Sequence, residues 1–88
     1  MNKVVYLVTT KGCQACRVQR NNLNIVLEDV DCDFRICDFN ELPDWLKTNV
    51  VLTDFPVTIF IQDEVIKYHF SGTKSVNKLN NILRDLNF

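Results

Sequence analysis

The chain opens on an apolar run, residues 4–8, that does not alternate and so predicts a strand buried on both faces. Thr9 to Gly12 reads as a turn, and from Cys13 onward the period changes. Cys16, Arg20, Leu23, Val26 or Leu27, and Val30 recur at three- and four-residue steps, which predicts a helix with one apolar stripe. Asp33–Asp38 alternates, with Phe34 and Ile36 on one side and Asp33 and Arg35 on the other, as in a strand near a sheet edge. Leu42, Pro43, Asp44, Trp45 and Leu46 suggest a short second helix with Pro43 in its first turn. Residues 57–61 form the most strand-like run and are entered through Pro56. Gln62, Asp63 and Glu64 read as a tight turn without glycine, and residues 65–70 return as another strand. Gly72 breaks that strand, and Val76, Leu79, Ile82, Leu83 and Leu86 mark a terminal amphipathic helix. The order is β-α-β-α-β-β-α. A right-handed crossover gives a parallel pair, and the closing hairpin adds antiparallel strands. The fold class is therefore α/β, with a four-stranded mixed sheet and helices on both faces.

Length and charge narrow the function. With 88 residues the chain supports one core, hence one domain over residues 1–88. Its 47% hydrophobic and 24% charged content, with two Gly and two Pro, is that of a globular protein. A net charge of −1 removes the electrostatic case for binding nucleic acid. No apolar run approaches the ~20 residues of a membrane-crossing helix. Met1, Asn2 and Lys3 lead only into residues 4–8, too short for a secretory signal, so a cytoplasmic location is expected. In a reducing compartment the four cysteines are structural hydrophobes, metal ligands or redox groups, seldom permanent staples.

Cys13 and Cys16 enclose Gln14 and Ala15 where strand gives way to helix. Spaced by three, both sulfurs can lie on one side of the first turn. The helix end offers unpaired N–H groups and roughly +0.5 of a charge, which favours a thiolate at Cys13 by about 0.3–2 kcal/mol. Cys16, a turn deeper, keeps its proton until needed. Cys13 is then the attacking sulfur and Cys16 the one that resolves the mixed disulfide. A bond closing so short a loop contributes only roughly 2 kcal/mol of chain entropy, which suits a reversible link better than a staple.

Zinc competes for all four cysteines. Extended over residues 33–37, however, the chain holds Cys32 and Cys37 ~16 Å apart on opposite faces, too far for one metal or one disulfide. They read as small hydrophobes at strand ends, with a secondary redox role as the alternative. Lys11, Arg17 and Arg20 could hold glutathione carboxylates, favour the thiolate or be solvated helix charges. His69 has no ligand-spaced partner, Trp45 reads as core or groove lining, and Asp38 and Asp44 offer at most the tuning of a nearby thiol.

A buried strand, then Thr10-Lys11-Gly12-Cys13-Gln14-Ala15-Cys16 opening a helix, then Phe55-Pro56 entering a later strand, resembles the thioredoxin/glutaredoxin superfamily. The resemblance implies a thioredoxin-like fold and a cis Phe55-Pro56 bond beside the cysteines, leaving the Phe55 backbone free to pair with an extended substrate. It implies a thiol–disulfide oxidoreductase of cell redox homeostasis and electron transport, with catalytic Cys13 and Cys16 and substrate-binding Phe55 and Pro56. No bound cofactor and no metal are expected. It implies a protein disulfide and an upstream reductase or thiol pool as partners, and a monomer is expected. Alternatives are a glutaredoxin acting on glutathione mixed disulfides, a non-enzymatic thioredoxin-like adaptor and a zinc-bound module. Several positions depart from the superfamily. Gln14-Ala15 matches neither Gly-Pro nor Pro-Tyr, Leu7 stands where thioredoxins carry a buried acid, and Asp54-Phe55 and Ser71-Gly72-Thr73 replace glutathione-binding elements.

Overall fold

The computed structural model describes residues 2–88; Met1, which belongs to the leader reading, lies outside them. The elements are β1 (Lys3–Thr9), α1 (Gln14–Val26), β2 (Asp33–Asp38), a 3-10 turn (Phe39–Glu41), α2 (Asp44–Lys47), β3 (Val57–Gln62), β4 (Val65–Ser71) and α3 (Val76–Asp85). They form the expected four-stranded mixed sheet, in the order β2-β1-β3-β4. β1 runs parallel to β2 and antiparallel to β3, and β3 pairs antiparallel with β4.

The two central strands explain the unbroken apolar runs, because each is covered on both faces. Val5, Leu7 and Phe60 pack with Leu23 of α1 and Leu79 and Leu83 of α3. Tyr6, Val8, Val57 and Ile59 pack on the other face under Leu42, Leu46 and Val50. Each fully buried side chain of this kind contributes roughly 1.5–3 kcal/mol. β2 lies at an edge, as its alternation predicts.

Three details differ from the pattern reading. Helix α1 starts at Gln14, with Cys13 as its N-cap rather than inside its first turn. Its buried stripe is Cys16, Gln19, Leu23 and Val26, while Arg20 is exposed and Val30 lies beyond the helix. Gln19 can be buried because both ends of its amide are bonded, to Thr58 and to Lys74. Pro43 stands just before α2, as its N-cap, not inside it.

The β3–β4 turn closes without glycine. Asp63 and Glu64 both take left-handed backbone, at φ 52° and 67°, the conformation whose twist matches the flanking strands. Asp63 is anchored there: its N–H donates to the Asn2 carbonyl at 2.8 Å, and its carboxylate accepts from the Asn2 N–H at 3.0 Å.

Candidate redox site

β1 ends at Thr9, and Thr10, Lys11 and Gly12 turn the chain into α1. Gly12 has φ +73°, a left-handed conformation that side chains disfavour, so glycine makes the turn that delivers Cys13 to the helix entrance. Cys13 and Cys16 are joined in a disulfide, with Cα atoms 5.3 Å apart. The Cys13 sulfur also fills the place of a capping oxygen, accepting the Cys16 N–H at 3.0 Å. The two sulfurs are unequal in access: Cys13 is half-buried, Cys16 only 5% exposed. A cavity of about 340 Å³ opens on the pair, lined by Leu7, Thr9 and Ile36 from the sheet and by Arg17 and Arg20 from the helix.

Phe55 and Pro56 do not line that cavity. The Phe55-Pro56 bond is cis. Pro56 is fully buried, and the Phe55 ring turns toward Phe39, edge-on at 5.9 Å. The register Val8↔Val57 sets Pro56 next to the end of β1, at the same end of the sheet as the cysteines. A short segment then ties the pieces together. The Gly72 N–H donates to the Pro56 carbonyl at 2.8 Å, and the Thr73 hydroxyl donates to the carbonyl of Ala15, between the two cysteines, at 3.2 Å. The Lys74 N–H donates to the Gln19 side chain at 3.0 Å. Among the described residues nothing hydrogen-bonds to the Phe55 backbone N–H or carbonyl.

Cys32 and Cys37 are free thiols held apart from this site and from each other. Cys32 packs against the core on the α1/α3 face and Cys37 against the core on the α2 face. Burial pushes both thiols above the ordinary value. Asp33 adds to the shift at Cys32, and Glu41 followed by Asp38 adds to it at Cys37. No three Cys, His, Asp or Glu side chains converge as a metal donor set among the described residues. Gln19 is the residue that pattern reading missed; the only hint of it in the sequence is its place on the stripe of Cys16, Leu23 and Val26.

With its βαβ start and closing antiparallel hairpin the chain has a thioredoxin-like fold, and it carries a disulfide-bonded cysteine pair at the entrance to α1. No protein-family model and no curated protein matches the chain. Among solved structures it is similar to a thioredoxin of Halobacterium salinarum, with a TM-score of 0.79 and 13% identity over 97% of this chain and 74% of that one. Mitochondrial thioredoxin 3 of Saccharomyces cerevisiae, in its oxidised form, aligns at TM-score 0.76 and 22% identity, over 96% and 78%. Thioredoxin 1 of Thermosipho africanus aligns at 0.73 and 21%, over 96% and 94%. At these identities the likeness is one of fold. No helix among the described residues is long and apolar enough to cross a membrane.

Proposed function

We propose that this protein is a thiol–disulfide oxidoreductase acting on protein disulfides. The observation that carries the reading is the asymmetry of the cysteine pair. One sulfur is half-buried at a helix N-cap and accepts a backbone N–H; its bonded partner is buried a turn behind. In the reduced protein that N–H stabilises negative charge on Cys13, which attacks a substrate disulfide. One substrate sulfur leaves as a thiolate and takes up a proton, while the other is bonded to Cys13. Cys16 then attacks Cys13, releases the second substrate thiolate and closes the Cys13–Cys16 bond. Two electrons pass from the dithiol to the substrate, and a separate reductase or thiol pool returns them. The free Phe55 backbone receives an extended stretch of substrate as an added strand. Pro56 holds that residue in place, its own carbonyl being taken by Gly72.

The chain works, in this reading, as a single monomeric domain in a reducing compartment such as the cytoplasm, without a bound cofactor. Two variants test it. Cys13→Ser abolishes reduction of insulin disulfides, and Cys16→Ser accumulates a mixed disulfide with substrate. A Cys13→Ser protein as active as the original would remove the assignment.

A further inference from the structure

Cys13 caps α1, Arg17 and Arg20 follow it on the helix at four- and three-residue steps, and all three line the cavity that opens on the disulfide. Both arginines are exposed, and neither has a carboxylate partner among the described residues. The ion pair found among the described residues joins Arg35 to Asp33, on β2. No Asp or Glu lines the cavity, and the first turn of α1 carries no acidic side chain. Asp38, across the β1–β2 pair from Thr9, has its carboxylate on the Asn40 N–H. The chain as a whole carries a charge of −1, so this positive cluster is local. An unpaired guanidinium offers a planar fork of donors that matches a carboxylate. At about 340 Å³ the cavity suits a small group attached to the reacting sulfur rather than a folded surface.

We infer that the preferred substrate disulfide carries a carboxylate close to the sulfur that Cys13 attacks, and that Arg17 and Arg20 receive it. The inference rests on the oxidoreductase reading above and names its substrate class. A small dicarboxylate disulfide and an acidic residue beside a cysteine in a polypeptide offer the same chemistry.

The test compares dithiodiglycolate, with two carboxylates, cystamine, with two ammonium groups, and neutral bis(hydroxyethyl) disulfide. Each rate is divided by that of the same disulfide with mercaptoethanol, which removes intrinsic reactivity. The pre-reduced protein should favour dithiodiglycolate over cystamine by about tenfold, the factor that two exposed charge contacts of ordinary strength supply. That ratio should fall toward one in the Arg17→Gln, Arg20→Gln double variant. It should fall likewise for the unchanged protein in roughly 1 M salt, where screening acts within about 3 Å. A matched pair of peptide disulfides, flanked by Glu or by Lys, forms a second arm. A preference seen with the small disulfides points to a low-molecular-weight substrate, and one confined to the peptides points to a protein. Failure to reduce even the neutral disulfide would sink the oxidoreductase reading itself. Reduction of the neutral disulfide, with a charge preference that is absent or unmoved by the arginine changes in both arms, would overturn the carboxylate assignment alone.

Discussion

The Gln19 side chain donates to the Thr58 hydroxyl at 3.0 Å, and both residues are completely buried. The same side chain accepts the Lys74 N–H, so one amide links α1, β3 and the loop that carries Gly72 and Thr73. Thr58 pairs with Leu7 in the sheet, which places this polar link under the helix beside Cys16.

Removing one end of that link should be costly, and removing both should be milder. Gln19→Leu strands a buried hydroxyl and is expected to cost about 1–3 kcal/mol. Adding Thr58→Val replaces the orphaned hydroxyl with a methyl group and should recover a large part of that loss, because the half-buried Lys74 N–H can turn to water. Urea unfolding of the two single variants and the double variant measures this as a cycle. Additive losses would show that the two side chains do not depend on each other.

Gly12 makes a narrower prediction. A Cβ added there meets nothing within 4 Å, so the cost of Gly12→Ala comes from the left-handed backbone alone, roughly 1–2 kcal/mol. Because Gly12 immediately precedes Cys13, Gly12→Ala should also slow Cys13 alkylation in the reduced protein. Lost stability with unchanged alkylation would confine the glycine to a folding role.

The two free thiols give a pH dependence with a definite sign. Burial raises the Cys32 and Cys37 thiols in the folded chain above their ordinary value. The neutral thiols therefore stabilise the fold below the unfolded-state pKa, and that contribution is lost as pH rises through the higher folded value. Stability should decline as pH rises past the ordinary thiol value of 9.0, and less steeply in a Cys32→Ala, Cys37→Ala variant. At neutral pH, iodoacetamide followed by mass spectrometry should label Cys13 well before either of them. Labelling of Cys37 at the rate of Cys13 would mean that its burial is not what governs its reactivity.

Most of the architecture is written in short-range patterns. Residues 4–8 and 57–61 declare themselves as central strands because both of their faces are apolar, and Val76, Leu79 and Leu83 declare the last helix by period alone. The cysteine pair is equally legible, being four consecutive residues at a strand-to-helix junction. Gln19 is not, because its partners lie 39 and 55 residues away and its type belongs on a surface. The link from Pro56 through Gly72 and Thr73 to Ala15 is hidden for the same reason: it joins three segments that only the finished sheet brings together. Local periodicity cannot report a contact whose two halves are far apart in the chain.

The hairpin turn offers a stabilising change. Asp63 and Glu64 both hold left-handed backbone, which costs a side-chain-bearing residue roughly 1–2 kcal/mol at each position. Asp63 recovers part of this through its two bonds to Asn2, whereas Glu64 is exposed and its side chain makes no hydrogen bond among the described residues. Glu64→Gly should therefore relieve backbone strain at its own position while losing roughly 0.5–1 kcal/mol to the greater freedom of glycine in the unfolded chain. The Asp-Gly turn that results is the sequence this geometry favours, and the net gain should be about 1 kcal/mol. Asp63→Gly should gain less or lose stability, because it surrenders the carboxylate that accepts the Asn2 N–H and tethers the start of β1. Thermal unfolding of the two variants side by side reads the difference, and a Glu64→Gly protein less stable than its parent would mean that the Glu64 side chain contributes more than its exposed position indicates.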